Sequence, residues 1–339
     1  MGQRANLIIM ENNTYSIYYD HWAANSLDSY LFWGPEKAIT FFRDHEKSGA
    51  EYWLDTVWCE GGAVIDLDLN VLIFFGGEDI KYDIPLRNMY LKLLRIMWSG
   101  YLVKWGFNGV LDLAAYVGYS AVDQLGEPMH SYDKSNWEDS FTEAVGRELE
   151  GALSVTSHET LKIHPIFGYD AGSKLLFAGE RIVENVEQQA GCLEFSFPDL
   201  STETYTDFAR QGLHLDLDNH MLFFWMDRPL AVFESQLQPL WPTWTIVNLW
   251  DDYRKHELLT QNRLTYLGSE ENRLINQIRT IVCRPYKSEG DAADKLISTL
   301  EEDGKTVEVN PLVHATSLFD MPVDLRLQIF DKVIVKAGL

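Results

Sequence analysis

The sequence predicts an α+β protein: two diverged repeats of an antiparallel β-sheet-plus-helix unit with a β-β-α-β-α core, followed by a helical C-terminal extension. Three observations predict it. A sixteen-residue stretch recurs, the same order of apolar patterns surrounds both copies, and 339 residues suit about two domains. Residues 60–75 read EGGAVIDLDLNVLIFF and residues 210–225 read RQGLHLDLDNHMLFFW. At an offset of 150, Gly62/Gly212, Asp66/Asp216, Leu67/Leu217, Asp68/Asp218, Leu72/Leu222 and Phe74/Phe224 are identical. Ordinary composition gives about one such match in a window of this size. Trp98-Ser-Gly-Tyr-Leu-Val aligns with Trp241-Pro-Thr-Trp-Thr-Ile at 143, and Tyr116-Val-Gly118 with Tyr266-Leu-Gly268 at 150. A seven-residue deletion followed by a seven-residue insertion accommodates both shifts. Two similar hairpins arising separately from β-forming residues is the competing explanation.

The elements follow in order. Residues 5–10 and 14–19 flank Glu11-Asn12-Asn13 as a first hairpin. Gly34 and Pro35 open a helix with Ala38, Ile39, Phe41 and Phe42 on its apolar side. Residues 63–68 and 71–75 read as strands joined by Leu69-Asn70, with Asp66 and Asp68 on one face. Pro85 starts a helix bearing Leu86, Met89, Tyr90, Leu93, Leu94 and Met97, and Gly100 stops it. A strand over 101–105 and a short helix over 110–116 complete the unit. In the second half, residues 163–177 around Asp170-Ala-Gly172 read as the matching hairpin, and a shorter helix between Pro229 and Leu240 contains Pro239. Polar residues 120–159 include an acidic helix near 137–153, and further helices are expected over 269–283, 291–303 and 323–337. The expected organisation is a first repeat over 1–125, an acidic helical linker over 126–160, a second repeat over 161–268 and the extension over 269–339.

Composition excludes several classes. Fifty-one acidic residues against 28 basic ones leave a net charge of −23, which repels nucleic acid and anionic membranes and admits a basic protein partner. With 46% hydrophobic residues the chain can build cores, so global disorder is excluded. No apolar run approaches the ~18–20 residues of a membrane helix. The opening residues carry neither a signal-peptide core nor a myristoylation pattern, and three cysteines fit a reducing cytosol, so a cytoplasmic protein is expected.

Several motifs combine in the first third: Met1–Asn6 (MGxRAN), Tyr18–Trp22 (YYxHW), Gly34–Glu36, Trp53–Asp55, Glu60–Gly62, Asp66–Asp68 (DxD), Phe75–Asp79 (FGGED) and Trp98–Tyr101. In this combination the chain resembles a bacterial family of unknown activity. The resemblance covers about a third of the chain, implies a cytosolic bacterial origin and carries no catalytic residue across.

Candidate sites are read from chemistry. Asp20 and His21 follow a strand, where a carboxylate beside an imidazole suits a general base or a metal ligand; a turn histidine packed under Trp22 is the structural alternative. Asp66 and Asp68, with Asp216 and Asp218, would bind a divalent cation if the copies converged, or else guard solvated hairpin faces. Gly76-Gly77-Glu78-Asp79 offers close backbone approach beside two acids, or a plain turn, and Glu60-Gly61-Gly62 is a second such bend. Cys59 lies beside acids that raise its thiol pKa, which argues against a nucleophile. His214 and His220 flank the second Asp pair, but Val64 and Asn70 stand at the matching positions of the first. Eleven tryptophans exceed ordinary usage and suit cores with wet edges or binding surfaces. The leading expectation is an acidic protein-binding role, immunity- or inhibitor-like, engaging a basic partner. The alternative is a carboxylate-based hydrolase or other small-molecule enzyme, with or without a divalent metal, sited in the first repeat. Its catalytic candidates are Asp20, His21, Glu60, Glu78 and Asp79; binding candidates are Arg4, Trp22, Asp66 and Asp68. No cofactor or resident metal is expected.

Overall fold

The computed structural model describes residues 3–49, 52–126, 137–143, 148–197, 208–227, 236–266, 271–284, 297–302, 304–307 and 321–339. The chain divides into two compact units, one of residues 1–78, 88–120 and 274–339, the other of 79–87 and 121–273. The α+β class holds.

In the first unit, β1 (Ala5–Glu11) and β2 (Thr14–Asp20) form a hairpin across Asn12-Asn13. Both asparagines take φ of 55°, the left-handed conformation this turn demands and asparagine tolerates. Next come α1 (Leu27–Leu31), α2 (Pro35–Arg43) and β3 (Lys47–Ser48), which pairs with β2. A second hairpin, β4 (Gly61–Asp66) and β5 (Val71–Phe75), joins the first through parallel β1–β4 pairing. Residues 79–87, which hold most of α3 (Glu78–Tyr82) and the first residues of α4 (Ile84–Met97), belong to the second unit; from residue 88 onward α4 carries the chain to β6 (Leu102–Trp105), and α5 (Val110–Tyr116) follows. The strand order is β3-β2-β1-β4-β5-β6. Because β6 lies parallel to β5, the sheet is mixed rather than antiparallel: a strand–helix–strand crossover returns the chain to its starting edge.

In the second unit, β7 (Leu149–Ser157) and β8 (Thr160–Phe167) form a hairpin across His158-Glu159, again at positive φ. Then come α6 (Ala171–Ala178), α7 (Arg181–Gln188) and the short β9 (Phe195–Ser196). They are followed by β10 (Gln211–Asp216), β11 (Met221–Met226), β12 (Thr245–Asn248), α8 (Tyr253–Leu259) and β13 (Leu264–Thr265). The main sheet runs β12-β11-β10-β7-β8, with β7–β10 and β11–β12 parallel. Five strands of each main sheet thus share one order and one set of directions. Registers agree as well: Gly62↔Phe75 corresponds to Gly212↔Trp225 at 150, and Val71↔Leu102 to Met221↔Thr245, the third strand at 143.

Three sequence readings differ from the structure. Residues 149–157 are strand β7 rather than the end of an acidic helix; Gly151 there backs onto Gln211, leaving no room for a side chain. The hairpin expected over 163–177 is one strand followed by α6, because the turn signal lay upstream, at His158-Glu159. Tyr116 ends α5, whereas Tyr266 lies just past β13, so no seven-residue insertion restores the 150 offset. The helices expected over 269–283 and 323–337 are α9, described from Glu271 to Cys283, and α10 (Val323–Ala337). Most of the segment 291–303, like residues 228–235, lies outside the described residues. Phe330 of α10 stacks on Phe32 at 5.7 Å, and Ser29 Oγ donates to Ile281 O. No helix among the described residues is long and apolar enough to cross a membrane.

Both sheets bury their strands between layers. In the second, Leu153, Val155, Leu213, Leu215 and Phe224 pack with Leu175, Leu176 and Ile182, while Ala152, Trp225, Tyr253 and Tyr266 form a core on the other face. Gly34, at φ +91°, ends the segment after α1 beneath Met97 O; Gly179, at φ +68°, ends α6 beneath Leu240 O. Beside them, the Trp98 indole donates to Leu31 O at 2.7 Å and Trp241 to Leu176 O at 2.8 Å. The repeated tryptophans are therefore buried clamps.

The repeated aspartates have a structural task. Asp66, 1% exposed, accepts from the backbone N–H of Asp68 and Leu69 and from the Tyr116 hydroxyl. That capture ends β4 before the turn at 67–70, where Asn70 takes φ of 54°. Asp68 accepts from the N–H of Asn12 and Asn13, locking one hairpin turn to the other; Asp218 does the same for His158 N–H. Removing Asp66 strands three donors, so Asp66→Ala is expected to cost about 2–4 kcal/mol in urea unfolding. Asp216 is less buried and, among the described residues, takes hydrogen bonds from Asn219 alone. Asp216→Ala is expected to cost about 1 kcal/mol; equal losses would contradict this reading.

Candidate functional site

A cleft opens in the first unit where the chain enters β1. Arg4 directly precedes β1, two residues before Asn6, and its carbonyl accepts from Glu60 and Gly61 N–H, so the alternation of the extended chain carries back to it. Asn6 is fully buried; its amide donates to Tyr52 O at 3.4 Å and accepts from Leu54 N–H at 2.9 Å. The loop leading into β4 is thereby pinned across the sheet. Further on, Asp55 accepts from the N–H of Val57 and Trp58, both at 3.0 Å, and that turn sets Trp58 beside Arg4. The Arg4 guanidinium lies 4.6 Å from the Trp58 ring centroid. The resulting cavity, ≈ 450 Å³, is lined by Arg4, Tyr19, Ser48, Tyr52, Trp53, Leu54 and Trp58. Tyr52 is 66% exposed and Trp58 55%, an aromatic rim on an open pocket. Among the described residues the guanidinium meets no carboxylate, while Arg43, Arg87, Arg210 and Arg279 are each paired with one. Among the described residues no carboxylate, imidazole or thiol belongs to the lining.

Of the residues singled out from sequence, Arg4 lines the cleft. His21 neighbours it through Tyr19, whose hydroxyl meets His21 Nδ1 at 2.8 Å. Trp22 packs edge-on against His21 at 4.8 Å. Asp20 is engaged elsewhere: one oxygen accepts from the N–H of Trp22 and Ala23, the other from His45 Nε2 at 2.5 Å. His45 Nδ1 donates to Phe41 O, so both ring nitrogens carry protons and no lone pair remains for base catalysis. Burial opposes charge on both partners, yet their mutual hydrogen bond and the backbone bonds outweigh it. Asp20 is held below its ordinary pKa and His45 above its own. The Asp20 contribution is present above about pH 3.9 and lost in stronger acid; the His45 contribution is full below about pH 6.5 and lost as the pH climbs past its raised value.

Glu60 N–H donates to Arg4 O, and Glu78 accepts from the Asn25 amide at 2.5 Å. Asp79 follows Glu78 at the start of α3. Gly76, at φ +116°, sits against Gly61, and Gly77 N–H donates to Ala24 O, so both glycine bends serve close chain packing. Asp66 pairs with Met10, at the end of β1 away from Arg4. Cys59 is buried. Among the described residues no group of three or more His, Cys, Asp or Glu is placed to hold a metal ion.

The second unit holds a polar chain that sequence reasoning reached only at His214. Trp225 Nε1, solely a donor, points at His256 Nδ1 at 3.3 Å, so that nitrogen is unprotonated and His256 Nε2 carries the hydrogen. Nε2–H then donates to Ser154 Oγ at 2.7 Å, and Ser154 donates to His214 Nδ1 at 2.7 Å. The Tyr266 hydroxyl completes the chain at His256 Nδ1, 2.9 Å away. All five side chains are buried, and Gly212 leaves the space they occupy: a Cβ there would lie 2.6 Å from His256 Nδ1. In the first sheet Ile8, Val64 and Phe75 take the positions of Ser154, His214 and Trp225, and Leu113 rests on Gly62 where His256 rests on Gly212. Val64 against His214 was visible in sequence. Ser154 and His256 were not, because β7 was read as helix and α8 had no aligned partner.

Comparison of the chain with protein-family models, curated proteins and solved structures finds no match.

Burial pushes His214 down to about 4 and His256 well below its ordinary pKa, so both are neutral at pH 7. Between about pH 6.5 and 4 the unfolded chain binds protons that folded His214 refuses, and stability falls as the pH drops. The displacement corresponds to a loss on the order of 3 kcal/mol. His214→Gln removes the titration while keeping an acceptor. Urea unfolding across that range should show a shallower pH slope for the variant than for wild type; parallel slopes would contradict the assignment.

Proposed function

We propose that this protein works by binding a small ring-bearing molecule in the Arg4–Trp58 cleft, without chemical transformation of it. One observation carries the reading: a ≈ 450 Å³ cavity walled by Tyr19, Tyr52, Trp53 and Trp58, with a guanidinium that no described carboxylate neutralises. Pockets for small organic ligands have this size and this mixture of apolar walls with a few polar groups. The cleft is also built by dedicated devices, the Asn6 amide and the Asp55 turn, which do nothing for the sheet itself.

Binding is preferred over hydrolysis because the described lining carries no ordinary acid–base pair; His21 reaches it only through the Tyr19 hydroxyl, and Asp20 already holds a doubly protonated histidine. The net charge of −23 supports a basic protein partner only as a global field, whereas the cleft has a location and a shape. From the shared strand order and registers we also infer that the two units descend from one duplicated ancestor. The cleft belongs to the first copy: Ala152 stands in β7 where Asn6 stands in β1, so the second has no amide to pin such a loop.

The test is ligand-detected NMR with single- and double-ring compounds, comparing wild type with Trp58→Ala. Trp58 is largely exposed, so its loss should change stability by no more than about 0.5 kcal/mol and should weaken ring binding by about two- to tenfold, in line with a lost stacking contact. Unchanged binding in Trp58→Ala, or turnover of a bound compound, would contradict the proposal.

A further inference from the structure

Resting on that reading of the cleft, we infer the class of its ligand: a flat ring bearing an oxyanion, a carboxylate or a phosphate, held edge-on by Arg4. The polar groups of the lining are biased towards donation. Arg4, Trp53 and Trp58 are solely donors, Ser48, Tyr19 and Tyr52 are hydroxyls that both donate and accept, and nothing in the described lining is acidic. A cationic ligand would find no counter-charge and would face Arg4; a neutral one would leave the guanidinium uncompensated.

The geometry of Arg4 adds direction. Trp58 engages the face of the guanidinium, which leaves the N–H groups in its plane for other partners. A fork of parallel N–H donors matches the two oxygens of a carboxylate or phosphate. Trp53 contributes a wall rather than a contact for the anion: its ring lines the cavity and packs at 5.4 Å on Tyr119, while its indole Nε1 is buried.

The surrounding charge sharpens the selection. With 51 acidic residues against 28 basic ones, the long-range field repels anions, so a polyanion such as nucleic acid is disfavoured and a small, singly recognised anion remains. Within that field a partly buried arginine that meets no carboxylate among the described residues is a feature that a ligand anion would explain. The walls Tyr19, Tyr52, Trp53 and Trp58 supply faces for the ring, and ≈ 450 Å³ confines the ligand to one or two rings.

The experiment compares four probes of nearly equal shape on the whole chain: phenylacetate, phenyl phosphate, phenylacetamide and phenethylamine. Binding is followed by perturbation of the tryptophan indole N–H resonances at about millimolar probe, the range expected for ligands of about ten heavy atoms. The expected result is that at least one anion binds about tenfold more tightly than the amide and that the amine binds least, as loss of a charge-assisted pair implies. Which anion leads distinguishes a carboxylate ligand from a phosphate one. Arg4→Met should erase the preference while retaining weak ring binding, and Arg4→Lys should keep part of it, since an ammonium restores the charge without the fork; unchanged melting temperatures establish that the variants are folded. Equal binding of anion and amide to wild type would overturn the inference and leave the cleft reading standing. Failure of all four probes to bind would overturn both.

Discussion

A guanidinium laid on an indole, with no carboxylate among the described residues to neutralise it, is the constraint on which this account depends. Bringing a charge part-way out of water costs free energy that a face-on aromatic contact offsets only in part, by about 0.5–2 kcal/mol. The chain places that charge with care. Arg4 lies two residues before Asn6, at the entry to β1, and the buried Asn6 amide ties the loop that carries Tyr52, Trp53, Leu54 and Trp58. The hydrogen bonds of Asn6 resemble those of one more strand at the sheet, with the side chain standing in for backbone. The cavity is therefore a consequence of β-strand alternation plus one buried amide.

The same scaffold is used twice with different interiors. Paired hairpins and a parallel seam between them organise five strands of both main sheets, and aspartates at equivalent positions lock the turns. Where the first sheet packs Ile8 and Val64, the second carries Ser154 and His214, joined to His256, Trp225 and Tyr266. Such a chain of neutral groups is stable while every donor finds an acceptor, and it becomes a liability once a proton must be added. Its energetics are those of a specified core: Gly212 is required because any Cβ would displace three of its members.

How much of this was legible in the sequence follows from the physics of each signal. The pattern of α4, with Leu86, Tyr90, Leu93 and Leu94 buried at helical spacing, and the short α5 were readable because periodicity reports local burial directly. The matching aspartates were readable because they serve turn geometry, which tolerates few replacements. The β7–β8 hairpin was not, since His158-Glu159 in a left-handed turn carries none of the usual Gly or Asn signature and polar neighbours suggested a linker. Of the cleft, Arg4 was identified, but Ser48, Tyr52 and Trp58 meet only through the Asn6 and Asp55 hydrogen bonds, and no spacing rule encodes those. His45 escaped notice too, although a histidine just past a helix end is a known partner for its last carbonyls.

A crystal structure of the full chain grown with phenylacetate puts the central claim to the most direct test. The account places the carboxylate in the plane of the Arg4 guanidinium, with the phenyl ring among Tyr52, Trp53 and Trp58. A ligand ordered elsewhere, or an Arg4 side chain turned away from Trp58 to a protein carboxylate, would contradict it.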